Sequence, residues 1–256
     1  MRKELLFEED FDAQTLATSI WISSASCTCG THRAKRKKQN FNLNLLAPTD
    51  VEGIEDLPVV QSYTGSIPAS FIPFDERNKW EYGSGIHCFA EDFKINSTFS
   101  CAERVCRSLH EYVCVVAPDF TLYVDAPRAL NVYSLYKNRW VTSYWQRNGV
   151  RTIPSASWAG VDSFNYCFDG LPEGGIIAVG HVAIGRDRHE KELYKTGVEE
   201  LVKRKHPDVL LVYGLPLDFN PDVKVTYIKS RLSMMRDRNK KKSVGQHYPT
   251  LAGIED

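Results

Sequence analysis

Mostly apolar runs alternate with amphipathic segments through the middle of the chain. Runs with the length of buried strands lie at 113–117, 150–154, 175–180, 208–213 and 223–228. Apolar residues recur at helical spacing in 101–112, 127–148 and 190–205. Strands that alternate with helices are typical of a parallel sheet. The pattern therefore predicts an α/β fold with a mainly parallel sheet, open or incomplete and barrel-like, that helices flank.

The long middle helix has recognisable start and stop signals. Asp125 is a residue type that caps helices, and Pro127 suits a first helical turn, where its missing N–H is not needed. Gly149 is the residue type that most often follows a helix end. We therefore expect Asp125 to be the N-cap of a helix that ends near Asn148.

Three regions of the chain differ in pattern. Residues 1–65 look irregular and include a loop of cysteines and basic residues, residues 66–228 hold the periodic segments, and residues 229–256 are polar and basic. We expect an α/β domain over 66–228, an irregular N-terminal region before it, and a basic, partly disordered tail after it.

The amino-acid composition excludes a disordered chain and a membrane-spanning protein. The 256 residues are 43% hydrophobic, 11% aromatic and 25% charged, which is ordinary for a globular protein and excludes a disordered chain. No apolar run approaches the about 20 residues that a membrane span needs, and the first residues contain no apolar signal-peptide core. The seven cysteines then indicate free thiols in a reducing compartment. We expect a cytoplasmic protein without a membrane partner.

A formal net charge of zero hides two basic segments. One, 33–38, contains Lys35, Arg36, Lys37 and Lys38, and the other, 229–242, contains Arg236, Arg238, Lys240, Lys241 and Lys242. The rest of the chain is net acidic, so a phosphate-bearing partner, a nucleic acid or a nucleotide, would be contacted through these segments. Basic segments also serve solubility or fold back on an acidic body, and that alternative stays open.

Polar and aromatic side chains follow the predicted strands. Ligands of parallel α/β sheets bind beyond the carboxyl ends of the strands, so the residues after each apolar run are the candidates for a site. Asp119, Tyr123, Asp125 and Arg128 follow 113–117, Trp158 follows 150–154, and His181 follows 175–180.

Asp119, Asp125 and Arg128 are the candidate catalytic residues. The two aspartates could hold a divalent cation or divide the roles of acid and base. Arg128 shares a helix face with Asn131 near a helix N-terminus, which favours anions, and an arginine can hold a phosphate in two parallel hydrogen bonds. In the alternative, Asp125 is only a helix cap and Arg128 is only its ion-pair partner.

The candidate substrate-binding residues are Tyr123, Asn131, Arg139, Trp158 and His181. Trp158 could stack on a base or a sugar ring, although a tryptophan in this place is more often a packing residue. No cofactor is identified.

Cys27, Cys29 and His32 offer three soft metal ligands within a short loop. Structural zinc takes four ligands, usually with two to four residues between paired cysteines, and this spacing is tighter. No metal site is predicted, and whether these three residues bind a metal stays open.

The run from Val116 to Pro127 resembles the signature of an uncharacterised family, domain of unknown function 4417. Further matching blocks lie at 41–48, 87–93, 138–139, 144–146, 148–149, 153–154 with Trp158, and 207–214. One departure is Ala126, where a larger residue such as Met is common. The family is similar to proteins carried by bacteriophages, prophages and mobile elements, so the resemblance implies a bacterial host cell. Its activity is unassigned, and the resemblance implies no mechanism.

Two functions fit these features. The first is an enzyme that acts on a nucleotide or a nucleic acid at the carboxyl ends of its strands. The second is a non-catalytic module that binds a nucleic acid or a host protein through its basic segments, with Asp119 and Asp125 purely structural. The enzyme is slightly favoured, because polar clusters at strand ends of α/β folds usually bind a ligand. Whether the protein is catalytic at all stays open.

Overall fold

The structure is a computed structural model that describes residues 40–45, 50–79, 82–181 and 187–229. The chain divides into two compact units, Met1–Leu46 and Ala47–Asp256. The described part of the first unit is a 3-10 helix, Asn40–Leu45, with Phe41 and Asn42 at positive φ. The second unit carries the α/β architecture.

The second unit alternates strands and helices along the chain. Its described strands are β1 (Val51–Glu52), β2 (Leu57–Pro58), β3 (Phe71–Pro73), β4 (Gly85–His87), β5 (Val115–Val116), β6 (Thr152–Ile153), β7 (Ser155–Ala156), β8 (Ile176–His181), β9 (Val209–Gly214) and β10 (Lys224–Lys229). Its described α-helices are α1 (Asp92–Ile95), α2 (Ser97–Ser100), α3 (Ala102–Arg107), α4 (Arg128–Arg147) and α5 (Arg188–Lys205), and 3-10 helices lie at Phe74–Glu76 and Val161–Asn165. None of the described helices is both long enough and apolar enough to cross a bilayer.

Two four-stranded parallel sheets form the framework, in the orders β3-β4-β5-β6 and β7-β8-β9-β10. Within the described residues, β3 and β10 each pair with one neighbour, so the strands do not close into a ring. A small antiparallel hairpin, β1-β2, precedes them. The predicted α/β class with a mainly parallel sheet is confirmed.

Pro154 marks the point where the chain leaves one sheet for the other. It stands alone between β6, which pairs with β5, and β7, which pairs with β8. A proline has no N–H to donate to a sheet. Its carbonyl accepts instead from the backbone N–H of Ala178 in β8, at 2.8 Å. Pro154 thus ends the first sheet while it starts the second.

Strands β8 and β9 bury both of their faces, as their unbroken apolar sequence predicts. Ile177, Val179, Leu210 and Val212 point to one face and join a cluster with Leu135 of α4 and with Val198 and Leu201 of α5. Ile176, Ala178, Leu211 and Tyr213 point to the other face and join Cys114, Val116 and Ile153 of the first sheet. One core therefore lies between strands and helices, and the other lies between the strands of the two sheets.

The segment before β3 belongs to these cores. Leu57 and Val60 join the helix-side cluster, and Tyr63 joins the strand-side cluster. Glu52 of β1 holds the hairpin in place, because its carboxylate accepts from the nearly buried Lys205 ammonium at 3.0 Å and from the backbone N–H of Gly170 at 2.7 Å.

The ends of two predicted helices differ from expectation. Helix α4 begins at Arg128 with Pro127 at the N-cap position and no side-chain cap, so the prediction that Asp125 is the cap is wrong. Pro127 has a φ of −54° but an extended ψ of 139°, so helical angles begin only at Arg128 and Asp125 lies two residues before the N-cap, exposed in the preceding turn. Helix α3 covers only Ala102–Arg107 of the predicted 101–112, because the chain turns at Ser108 to reach β5.

Arg139, in the middle of α4, is 1% exposed and binds three backbone carbonyls. Its Nε donates to the Asp169 oxygen at 3.0 Å, one terminal nitrogen donates to the Ser155 oxygen at 3.1 Å, and the other donates to the Cys167 oxygen at 2.9 Å. The side-chain oxygen of Asn138 accepts a further bond. Burial lowers the pKa of Arg139 to about 10, so the guanidinium stays charged at neutral pH and these bonds are charge-assisted.

The neighbouring residue Asn138 extends this network to the carboxyl end of β5. Its amide nitrogen donates to the backbone oxygen of Pro118 and to the Ser155 hydroxyl, the latter at 2.7 Å. Asn138 and Arg139 therefore fix, from inside the core, the chain just before Asp119 and the strand that leads to Ser157.

We expect the change Arg139→Met to lower the free energy of unfolding by at least about 3 kcal/mol, because three buried carbonyls would lose their donor at about 1–3 kcal/mol each. Arg139→Lys should rescue little of this loss, since one ammonium cannot reach three separated carbonyls. Urea denaturation measures both values. The control is Arg204→Met: Arg204 donates to Glu200 and to the Phe164 oxygen, but its side chain is 40% exposed, so water can replace it. Similar losses of unfolding free energy in Arg139→Met and Arg204→Met would contradict the structural role assigned to the hydrogen bonds of Arg139.

Candidate functional site

Asp119 lies just beyond the carboxyl end of β5, and its carboxyl group is directed into the protein. Oδ1 is buried and has no hydrogen-bond partner among the described residues. Oδ2 lies beside the backbone of Gly180 in β8, where an added Cβ would come within 3.3 Å of it. The Ser157 hydroxyl, just after β7, hydrogen-bonds the carboxyl group. Three strand ends thus meet at one carboxyl group.

The environment of Asp119 keeps it close to its protonation midpoint in neutral solution. Burial raises the pKa of Asp119 to about 7, the charge of Asp92 raises it as well, and the hydrogen bond from Ser157 opposes the shift. Asp92 also holds the following loop, since its Oδ1 accepts from the Thr121 backbone N–H at 3.1 Å and from the Thr121 hydroxyl at 2.8 Å. A carboxyl group with such a pKa can both take and give a proton near pH 7.

Tyr194, in the second turn of α5, lies next to this carboxyl group. Its side chain is 7% exposed, and its hydroxyl has no hydrogen-bond partner among the described residues. Burial, followed by the negative charge of Asp119, raises the pKa of Tyr194 well above its usual value, so the phenol stays protonated. Sequence reasoning missed this residue, because a tyrosine on the apolar face of a helix is ordinarily a core residue.

Two consecutive pairs of residues connect Asp119 with Tyr194. Ser157 bonds Asp119, and the ring of Trp158 packs against the Tyr194 ring with centroids 5.3 Å apart. Likewise, Gly180 lies against Asp119, and the ring of His181 stacks on Tyr194 at 4.8 Å. The structure therefore places the predicted site residues Trp158 and His181 against Tyr194, each one residue along the chain from a residue that contacts Asp119.

Glycine at two positions allows this close approach. A Cβ on Gly180 would lie 3.3 Å from both Asp119 Oδ2 and the ring of Phe89, which itself stacks on Tyr213 at 5.0 Å. A Cβ on Gly197 of α5 would lie 2.2 Å from the Trp158 ring. The indole therefore rests on the bare backbone of α5, and Trp158 acts at least in part as a packing residue.

The other predicted residues from the same loop form a separate group. Arg128 pairs with Glu55, with Nε 3.0 Å from Oε1, and its guanidinium lies 4.6 Å from the centre of the Tyr166 ring. Asn131 fixes the loop before α4, since its side chain accepts from the Tyr123 backbone N–H at 2.9 Å and donates to the Tyr123 oxygen at 2.8 Å. The contacts of Arg128 and Asn131 are thus with these partners rather than with Asp119.

The remaining candidates are placed as follows. Arg139 lies in the core, where its donors serve the protein itself, and Asp125 lies exposed in the turn before α4. The cysteine cluster and both basic segments fall outside the described residues, namely Cys27, Cys29, His32, Lys35, Arg36, Lys37, Lys38, Arg236, Arg238, Lys240, Lys241 and Lys242.

The described part of the chain offers no good candidate for a metal site or for a nucleophilic thiol. Among those residues, no group of three or more His, Cys, Asp or Glu side chains is arranged so that it could hold a metal ion. The free cysteines there include Cys88, Cys114 and Cys167. Burial raises the pKa of Cys114 to about 11 and that of Cys167 to about 12, so both stay protonated and are poor nucleophiles at neutral pH.

Comparison with known proteins identifies the family. A family model described as "Domain of unknown function (DUF4417)" matches residues 50–229. The chain belongs to the DUF4417 family. This confirms the resemblance that the motif around Asp119 indicates. No solved structure gives a significant match to the chain.

Two relatives of this DUF4417 chain come from mycobacteriophages. It is 35% identical over 155 residues to the "Gene 1 protein" of Mycobacterium phage D29, which covers 59% of this chain and 57% of that protein. It is 31% identical over 176 residues to the "Gene 1 protein" of Mycobacterium phage L5, which covers 67% of this chain and 76% of that protein. The match to the phage D29 protein thus spans little more than half of that relative's length.

The DUF4417 match contains the whole cluster around Asp119 and Tyr194, and it ends at the last residue of β10. Both groups of candidate basic residues, at 35–38 and 236–242, lie outside the matched range. The strand-end cluster therefore belongs to the matched domain, and the basic segments lie outside it.

We expect Asp119 to destabilise the fold as pH rises. Its folded pKa of about 7 exceeds the unfolded value of about 3.9, so the folded state binds the extra proton between these values. The stability that this proton confers is complete below about pH 4 and is lost as pH rises through 7, by at most about 4 kcal/mol.

The change Asp119→Asn should remove this dependence. In urea denaturation, the free energy of unfolding of the variant relative to the wild type should rise between about pH 4 and pH 7 and level off above that range. Asp222→Asn, at an exposed position before β10, is the matched control. If the difference in unfolding free energy between Asp119→Asn and the wild type does not change with pH, the Asp119 carboxyl group is ionised over the whole measured pH range.

Proposed function

We propose that this DUF4417 protein is an enzyme that acts on a nucleotide or a nucleic acid at the carboxyl ends of its strands. Asp119 is the proposed catalytic group and transfers a proton at Oδ1. The observation that supports this most is the buried Oδ1 of Asp119, which has no hydrogen-bond partner among the described residues and belongs to a carboxyl group with a pKa of about 7.

A buried carboxyl oxygen without a hydrogen-bond partner is costly for a purely structural residue. Leaving a buried polar atom without a partner costs about 1–3 kcal/mol, and raising a carboxyl pKa above its unfolded value lowers stability further. Arg139 shows how a buried charged residue with a purely structural role differs from Asp119, because its N–H groups donate to backbone carbonyls of the protein. Perturbed carboxyl groups at the carboxyl ends of parallel strands are typical of catalytic sites.

The neighbours of Asp119 suit this role. The Ser157 hydroxyl orients the carboxyl group, and the narrow space beside Gly180 restricts its rotation. His181 has Nδ1 2.9 Å from the Leu215 oxygen, which fixes its ring at the carboxyl end of β8. We propose that His181 and Trp158 line the substrate-binding side of the site.

The substrate class is inferred from charge. The basic residues 35–38 and 236–242 contrast with an otherwise acidic chain, and clustered Lys and Arg favour phosphate-bearing partners. The same segregation also favours the alternative, a non-catalytic module that binds a nucleic acid or a host protein through these segments. The two proposals differ in which residues are needed, and each has its own test.

Asp119→Asn tests the catalytic proposal. The full chain is incubated with ribonucleotides, deoxyribonucleotides, and short single- and double-stranded DNA and RNA, and the products are detected by mass spectrometry. We expect turnover to fall at least about 100-fold in the variant, the smallest loss typical of a general acid or base. Asp222→Asn should retain turnover. Unchanged turnover in a folded Asp119→Asn variant would refute a catalytic role.

A salt titration tests the binding module. In the full chain, Arg236, Arg238, Lys240, Lys241 and Lys242 are replaced by Gln, and binding to double-stranded DNA is measured against salt concentration. The slope of log affinity against log salt should become shallower by about 0.9 for each phosphate that the segment no longer neutralises. Lys203→Gln, at an exposed lysine of α5, should leave the slope unchanged. An unchanged slope in the five-residue variant would exclude phosphate binding by this segment.

A further inference from the structure

We propose that two copies of this chain associate through an apolar surface around the first turns of α4. This surface, the α4 patch, consists of six large apolar side chains that are exposed in the structure: Ile54, Tyr123, Val124, Leu130, Tyr133 and Val161. The dimer has two-fold symmetry, so the same patch of each copy faces the other. Such an assembly goes beyond the proposed function, because it requires neither a substrate nor a catalytic role for Asp119.

Contacts of the first turn of α4 hold the parts of the patch together. The turn of the β1-β2 hairpin reaches the helix through Glu55, which follows Ile54 in the chain and pairs with Arg128. The Asn131 side chain binds the backbone N–H and the backbone oxygen of Tyr123. The two members of the patch that belong to α4 itself lie within its first two turns.

The loop after β7 adjoins the loop before α4. Val124 Cγ1 lies 3.8 Å from the position that a Cβ on Gly160 would take, and Val161 is the next residue along the chain. Asp162 Oδ1 lies 2.9 Å from the same position. Val124 and Val161 therefore belong to one surface, with Asp162 at its border.

The area of the patch suits a protein interface. Its six side chains are between 37% and 86% exposed. With about 150–200 Å² for a whole large side chain, they expose roughly 600 Å² together, whereas the largest apolar patch of a typical monomer measures about 300–600 Å². A standard interface buries about 800 Å² on each partner, of which a little more than half is apolar. The patch and its polar border are therefore large enough for a dimer.

A groove beside the helix offers a place for protruding side chains of a second copy. Its volume is about 560 Å³, and its lining residues are Glu55, Arg128, Ala129, Val132, Tyr133 and Tyr136. Interfaces are tight where a side chain of one partner fills a pocket of the other. In a two-fold dimer, a contact of one copy's Leu130 with the other copy's groove occurs twice.

The charges at the border of the patch favour a second copy as the partner. Asp125 and Asp162 are exposed and form no ion pair among the described residues. Arg128 pairs with Glu55, yet its side chain is 56% exposed. The border thus carries both signs of charge, so the base of one copy can face an acid of the other. A nucleic acid or an anionic membrane would be repelled by the two aspartates.

Sedimentation equilibrium of the full chain tests the dimer. We expect one monomer–dimer equilibrium that is mostly dimeric at about 100 μM, because interfaces of standard size have dissociation constants in the micromolar range or below. Leu130→Asp should raise the dissociation constant at least about tenfold, since a two-fold interface would bury the new charge twice.

Leu215→Asp is the matched control. Leu215 follows β9, outside the patch, and is 54% exposed, compared with 59% for Leu130. This variant should form the dimer as the wild type does. Thermal unfolding of both variants shows whether each is folded, and both should be, because each change replaces an exposed side chain.

Reversal of the border charges tests the contact between copies in a second way. The double change Asp125→Lys and Asp162→Lys should raise the dissociation constant, because each copy would then present an excess of cations to the Arg128 of the other. Added salt should partly restore this variant's dimer, since screening weakens the repulsion.

Three results would overturn the dimer. One is a wild type that stays monomeric at about 100 μM, which would leave the patch for a different protein. Another is equal dissociation of the Leu130→Asp and Leu215→Asp variants. The third is association that continues beyond two copies, which indicates a contact without two-fold symmetry. No substrate enters these measurements, so a monomeric protein leaves the proposed function intact, and absence of turnover leaves the dimer intact.

Discussion

The hydrogen bonds of Asn138 and Arg139 hold together the parts of the chain on which the candidate site depends. Arg139 binds the oxygens of Ser155, Cys167 and Asp169, and Asn138 binds the oxygen of Pro118. Moving a charge out of water costs several kcal/mol, and only a set of charge-assisted bonds of this kind offsets it. Because the network is buried in the middle of α4, it fixes two strand ends with respect to one rigid helix.

The sheets then determine what these strand ends bring together. All strands of both sheets are parallel, so their carboxyl ends lie on one side. The chain segment formed by β6, Pro154 and β7 pairs with β5 through β6 and with β8 through β7, so β5 and β8 lie on either side of it. Asp119, Ser157 and Gly180 meet there. The stable core stands in contrast to the site: Arg139 has its bonds satisfied, and Asp119 and Tyr194 each retain an oxygen with no partner among the described residues. Proteins tolerate such a local cost where the atoms serve a ligand.

The alternation of apolar runs and amphipathic segments predicted much of the fold. The runs 175–180, 208–213 and 223–228 became β8, β9 and β10 with small shifts at their ends. Helix α4 was predicted to within a few residues, although its N-cap is Pro127 instead of Asp125. The capping prediction failed because Pro127, with a ψ of 139°, stands before the first helical residue instead of within the first turn, and sequence spacing does not show which residue takes the N-cap position.

The sequence by itself determined the α/β class, the strand-end position of Asp119 and the family, because apolar periodicity and a contiguous motif are local properties of the chain. Only the tertiary structure decided which polar residues are used by the protein and which are left over. It assigned Arg128 to Glu55 and Arg139 to backbone carbonyls, and it placed Tyr194 beside Asp119. These pairings join residues far apart in the chain, and packing fixes their distances, which no local pattern encodes.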